Sequence, residues 1–345
     1  MKALTYHGAK DIRYESMDDP KIHDDGDVIV KVDKCAICGS DLHIYHGASF
    51  SEDVGYCIGH EAVGEVVEAG RGVRQMKVGD KVMISAAVGC GQCRSCLAGN
   101  VVNCQNNASG CYGLSAALQG CQAEAVRVPM ADSNASRIPE GVSLDQALMM
   151  TDSLATAWFG ARNADIQNGA TVAVVGLGPI GLMAVQSAFA MGAARVFGID
   201  PVAHRRETGR SLGAEVMGPE EAVELIREQT RGVKCDSVIE AVGHAGTIQM
   251  ALRLVKRRGA VSVIGVNQDR RMDFPMAKAF ADGLTFRIGT CSVTEEWPAL
   301  VPLIQNGRLN PEQFITHRYE LGQGAEAYEL FDQRRDGAMK VIFEM

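Results

Sequence analysis

TVAVVGLGPIGLMAVQSAFAMGA, residues 171–193, decides the fold. An apolar strand-like run, TVAVV, meets the pattern G-x-G-x-x-G as Gly176, Gly178 and Gly181, and an apolar helix-like run follows at once. With 38 glycines in the chain the pattern alone is weak, so its surroundings decide. A second strand-like run, RVFGI, ends at Asp200, nineteen residues after the last glycine. Strand, glycine turn, helix, strand and acid in that order read as a dinucleotide site. Gly176 permits the tight turn, Gly178 lets backbone approach a pyrophosphate, and Gly181 lets helix and strand pack closely. The intervening Leu177, Pro179 and Ile180 belong to the same loop, at a helix N-terminus whose N–H groups and dipole favour an anion. Asp200 is expected to take the adenosine ribose hydroxyls and to repel a 2′-phosphate, which favours NAD over NADP.

Outward from this stretch the alternation continues. RVFGI leads into AHRRETGRSLG, AEVM into EEAVELIREQT, DSVIEAV into AGTIQMALRLVKRRG, and AVSVIGV into PMAKAFADG before TFRIG. Six strands with crossover helices predict a doubly wound parallel sheet. Val242, Ile264, Gly265 and Val266, at the ends of DSVIEAV and AVSVIGV, are expected to line the cofactor. Of the basic residues His204, Arg205 and Arg206, Arg205 is assigned to the adenosine pocket and Arg206 to a solvated helix face. Before residue 150 the text changes to short alternating runs such as DVIVKV and GDKVMIS, separated by turn residues. That is a strand-rich domain. The mixed tail from about 292 is expected to pack back on it, giving domains 1–152 with 292–345 and 153–291.

The 345 residues carry a net charge of -8 and no long basic run, which argues against nucleic acid or an anionic membrane as partner. No run approaches the apolar length of a membrane span, and the opening MKALTYHGAKDIRYE reads as a strand rather than a secretory signal. A cytoplasmic location is the expectation. Eleven cysteines, an odd number, then favour metal over disulfides. Cys90, Cys93, Cys96 and Cys104 fall within GCGQCRSCLAGNVVNC (89–104), close enough to wrap one tetrahedral zinc. Four thiolates fill that shell, so the ion is structural. Cys35, Cys57, Cys111, Cys121, Cys235 and Cys291 read as small buried hydrophobes.

CAICGSDLHIYHG (35–47), GHEAVGEVVEAGRGV (59–73) and MMTDSLATAW (149–158) hold further possible ligands, too far apart for spacing to decide anything. With the four-Cys lobe, GLGPIG, Asp200 and the closing MKVIFE, they make the whole chain resemble the zinc-dependent alcohol dehydrogenases of the medium-chain dehydrogenase/reductase superfamily. The resemblance implies a GroES-like catalytic domain around a Rossmann domain, with two zinc ions per chain. It places Cys38, His60 and Asp152 on a catalytic zinc, with Asp152 where many members have Cys, and Glu61 as an exchangeable ligand or neighbour of the metal. Ser40 and His43 match the family's proton relay, and Lys340 a basic position near the cofactor phosphates. His46 receives no role. The implied activity is NAD-linked interconversion of an alcohol with its aldehyde or ketone, by a homodimer or homotetramer. The same scaffold also serves polyol and amino-alcohol dehydrogenases, and a non-catalytic nucleotide-binding protein is the reading from another class. EDVGYCIGHE lacks the proline often found before GHE, in a neighbourhood that shapes the substrate pocket, so the substrate stays open.

Overall fold

The computed structural model describes residues 1–48, 50–106, 110–267, 269 and 271–345. The chain divides into two compact units, Met1–Ala155 with Ser292–Met345, and Thr156–Cys291. Among the described residues no helix is long and apolar enough to cross a membrane.

The second unit is built on six parallel strands in the order Glu215–Met217, Arg195–Ile199, Thr171–Val175, Cys235–Glu240, Val255–Val263, Thr285–Ile288. Numbered along the chain this is 3-2-1-4-5-6, the Rossmann order, in the doubly wound parallel sheet that the alternating text predicts. Strand order reverses between Thr171–Val175 and Cys235–Glu240, which opens a crevice beyond their carboxyl ends. Val172, Val174, Val238 and Ile239 are fully buried, as strands of a sheet covered on both faces must be. One boundary differs from the sequence reading. The helix over AGTIQMALRLVKRRG stops at Leu254, and a strand takes over at Val255. The ladder slips between the pairs Cys235↔Val255 and Ser237↔Ala260. Arg258 sits at φ 58°, a left-handed kink that a continued helix forbids.

In the first unit the long strand Val28–Ile37 organises a seven-stranded sheet. On one side it pairs antiparallel with Glu61–Ala69, and on the other with Lys340–Glu344. Alternating Val28, Val30, Val32 and Ile37 turn into a core completed by Leu4, Tyr56, Tyr112, Tyr328 and Phe343. Each such side chain contributes roughly 1.5–3 kcal/mol on burial. The register brings three stretches together at one sheet end. Ala36 lies opposite Glu61, and Ile37 opposite Val341. Cys38, His60 and Lys340 are therefore neighbours because of the ladder, although far apart in sequence.

Candidate active site and metal centres

Two groups of metal-capable side chains stand out, and within each the ligand atoms lie within 4.8 Å of one another. Cys90, Cys93, Cys96 and Cys104 form the first. The Sγ atoms of Cys90 and Cys96 are 3.9 Å apart. A disulfide needs about 2.05 Å, whereas sulfurs bonded tetrahedrally to zinc stand about 3.8 Å apart. Backbone N–H groups aim at the sulfurs: Gln92 and Cys93 at Cys90, Cys96 and Gln105 at Cys93. The Cys96 N–H foremost brings the Cys93 thiol down to about 6, while burial pushes Cys96 up to about 12. Gly89 is required at the lobe's entry, since a Cβ there would lie 2.7 Å from Cys96 Sγ.

The second group is Cys38, His60, Glu61 and Asp152. Cys38 follows the central strand and His60 precedes the next; Asp152 lies between the helices Leu144–Met150 and Ser153–Asn163. Asp152 Oδ2 is 3.4 Å from Cys38 Sγ and 3.7 Å from His60 Nε2. Asp41, which sequence reasoning missed, fixes this geometry. Its Oδ2 accepts the Cys38 N–H at 2.8 Å, and its Oδ1 stands 3.2 Å from His60 Nδ1. A proton held on Nδ1 leaves the Nε2 lone pair facing Cys38 and Asp152, the tautomer a metal needs.

Electrostatics also favour a cation here. Burial opposes ionisation of Asp152, yet the His60 contact holds its carboxyl well below the usual range. Burial likewise opposes a charge on His60, yet Asp41 draws it well above its ordinary value. The Cys38 thiol is pushed up by burial. Three buried or half-buried carboxylates, Asp41, Glu61 and Asp152, face one ammonium, Lys340. A thiol, an imidazole nitrogen and a carboxylate converging on one point suit zinc, and three protein donors leave a fourth position open.

Glu61 is engaged otherwise. Its Oε2 meets Lys340 Nζ at 2.5 Å, and its Oε1 accepts from Ser153 Oγ at 2.7 Å. Lys340, only 1% exposed, also donates to Ser153 at 3.0 Å. Nothing in the spacing of residues 61, 153 and 340 signals this buried trio; only the sheet register reveals it. Ser40 Oγ lies 3.3 Å from His60 Nε2, at the start of the short helix Asp41–Tyr45. His43 sits one turn on, half-buried, and burial lowers its pKa with help from nearby His46. His46 itself is exposed, with Nε2 2.6 Å from Asp332 Oδ1. Of the scattered cysteines, Cys35, Cys57, Cys121, Cys235 and Cys291 are buried, and Cys111 is half-buried.

The glycine turn has the expected form. Gly176 has φ 89°, and a Cβ on Gly181 would fall 1.8 Å from Gly176 O. Gly178 caps a helix that begins with Pro179 and runs through Ile180, and a Cβ on it would meet only Arg205 Nη1, at 3.8 Å. Asp200 accepts the N–H groups of Leu177 and Val202, each at 2.8 Å, with Arg205 Nη1 3.9 Å away. Each carboxylate oxygen retains a lone pair for a ribose hydroxyl. Three expectations change. Leu177 offers a ligand no side chain: it is fully buried, and its methyls fill the space beside Gly198 and Gly209. Ile264 points inward against Gly160, whereas Val242 and Val266 beside it are exposed. Arg206 is half-buried rather than simply solvated, and its guanidinium donates to the carbonyls of Asp200 and Pro201 at the strand end. Gly265 lies too close to the backbone of Gly243 for any side chain. The unforeseen residue is Glu240, whose carboxylate accepts from Val242 N, Gly243 N and Thr247 Oγ1 and so shapes this loop.

Known proteins agree with this architecture. The alcohol dehydrogenase GroES-like domain matches residues 24–140, and the zinc-binding dehydrogenase family matches residues 179–306. A probable zinc-binding alcohol dehydrogenase of Mycobacterium tuberculosis is 41% identical over 95% of this chain and 84% of its own length. The solved alcohol dehydrogenase from Thermus sp. ATN1 superposes with a TM-score of 0.95 at 35% identity, covering 100% of this chain and 99% of that one. A putative zinc-binding dehydrogenase of Sinorhizobium meliloti, solved bound to NADP, has a TM-score of 0.87 at 28% identity and covers 100% of this chain and 99% of its own. On its two-unit fold, its four-thiol and mixed-ligand clusters and these matches, the chain belongs to the zinc-type alcohol dehydrogenases of the medium-chain dehydrogenase/reductase superfamily.

Proposed function

We propose that this protein is an NAD-linked alcohol dehydrogenase with two zinc ions per chain, interconverting a primary or secondary alcohol and its aldehyde or ketone in the cytoplasm. The observation that carries the reading is the convergence of Cys38 Sγ, His60 Nε2 and Asp152 Oδ2, with His60 turned by Asp41. These three residues hold the catalytic ion, and Cys90, Cys93, Cys96 and Cys104 hold the structural one. Bound there, zinc would supply a Lewis acid for the substrate oxygen and the nicotinamide a hydride acceptor. Ser40 Oγ would accept the hydroxyl proton while giving up its own towards His43, whose lowered pKa keeps it an acceptor and which would release the proton to solvent. Glu61 stays on Lys340 and Ser153 and balances the charge behind the ligands. Asp200 orients the adenosine ribose, with Arg205 at its side. Gly176, Gly178 and Gly181 admit the pyrophosphate, and Val242, Gly265 and Val266 line the crevice.

The protein acts as a homo-oligomer in this reading. Strand Thr285–Ile288 is the sheet's edge, and Ile288, Met276 and Phe280 near it are strongly exposed. Apolar surface along an open edge favours a second copy.

Metal analysis together with a panel of alcohols, each assayed with NAD and NADP, tests the proposal. The expected result is two zinc per chain and faster turnover with NAD. A single zinc that can be removed without loss of activity would rule out the catalytic ion, and preference for NADP would rule out the role of Asp200.

A further inference from the structure

Cys38 and His60 each lie just beyond the end of the ladder, whose last pair is Ala36↔Glu61. No backbone hydrogen bond of that ladder reaches either ligand, so their spacing depends on contacts outside it. We infer that Gln122 is a positioning residue that sets the spacing of the two ligand-bearing segments. This rests on reading Cys38, His60 and Asp152 as zinc ligands.

Gln122 is fully buried. Its Nε2 donates to the carbonyl of Ala36, two residues before Cys38, at 3.0 Å. Its Oε1 accepts from the hydroxyl of Tyr328 at 2.9 Å. The amide has one satisfactory orientation, since reversal would set its oxygen against the Ala36 oxygen. The stem of the same side chain rests on Gly59, the residue before His60. A Cβ on Gly59 would stand 2.5 Å from Gln122 Cγ, and Gly59 has φ 85°. Backbone completes the clamp: Gln122 N donates to Ile58 O at 3.0 Å, and Cys121 N to Gly59 O at 2.9 Å. From the other side, a Cβ on Gly113 would fall 2.5 Å from Gly59 N, so backbone meets backbone. The segment leading into His60 is thus gripped on both sides, and one amide joins it to the strand leading into Cys38. Tyr328 holds that amide from a distant helix, its ring 5.5 Å from that of Tyr45.

Gln122→Met keeps the length of the side chain and removes both hydrogen bonds; Tyr328→Phe removes only the hydroxyl. Zinc release from the holoenzyme to a chromophoric chelator separates the two ions into phases, and Co²⁺ substitution reports each ligand field by its absorption. In Gln122→Met the phase of the mixed site should quicken about 10–100-fold, the range for groups that orient metal ligands. Its cobalt bands should shift, while the four-Cys phase and Tm stay as in the parent. Tyr328→Phe should quicken the same phase by less. Unchanged phases in both variants would overturn the inference. Parallel quickening of both phases with a lower Tm would also overturn it, making Gln122 ordinary packing. If Gln122→Met does not fold, Tyr328→Phe decides alone: an unchanged mixed-site phase overturns the proposal. A parent enzyme that releases one zinc overturns the zinc reading and this inference together.

Discussion

The four-Cys lobe and the Cys38–His60–Asp152 site differ in how their ligands are held. In the lobe, four sulfurs come from sixteen consecutive positions, and local N–H groups steer two of the sulfurs. At the mixed site, the ligands come from residues 38, 60 and 152, and a sheet register with a buried carboxylate aligns them. With zinc bound as proposed, the lobe would use every coordination position on protein, whereas the mixed site would keep one for substrate. A metal centre can therefore be stable because it is local, or reactive because it is assembled from distant parts.

Three substitutions test that contrast, from the largest effect to the smallest. Asp152→Ala should lower turnover by roughly a hundredfold to a thousandfold, the scale on which one strong electrostatic contribution to a transition state is lost. Metal analysis should then find the lobe zinc retained and Tm little altered; a variant near full activity would remove Asp152 from the ligand set. Cys93→Ser should do the reverse. A metal's binding energy is folding energy where its site is not preformed, so thermal unfolding should begin several degrees lower. Activity measured well below that temperature should persist, and an unchanged melting curve would show that the lobe needs no metal. The smallest effect belongs to His43→Gln, read in the pH profile of alcohol oxidation. A histidine with a lowered pKa stays an acceptor below the ordinary value of 6.5, and loses that capacity only as protonation overtakes it. The parent should keep activity into mildly acidic solution before falling. The variant should be several-fold slower near neutrality, with that acidic limb displaced; superimposable profiles would take His43 out of the relay.

The same contrast explains what the sequence made legible. The lobe and the glycine turn could be read directly because their partners are within a few residues, and the six parallel strands followed from alternation, though not their order. The mixed site could not be derived from spacing; only resemblance joined residues 38, 60 and 152. Asp41, Ser153, Gln122 and Glu240 escaped because each acts through a neighbour that the fold supplies. Leu177 and Ile264 were misread for the opposite reason. Each sits inside a stretch expected to face the cofactor, but its own side chain turns into the core.

The buried Lys340 has a consequence for the order in which the chain can be completed. It opens the strand Lys340–Glu344, which lies between Val28–Ile37 and Ile315–Glu320 and follows both of them in the chain. The second unit is continuous from Thr156 to Cys291 and can be finished while later residues are still being added. In the first unit, the ammonium opposite Glu61 and the link between Val28–Ile37 and Ile315–Glu320 both wait for residues 340–345. A chain truncated by that much would carry Cys38, His60 and Asp152 and still lack the charge that balances the carboxylate behind them.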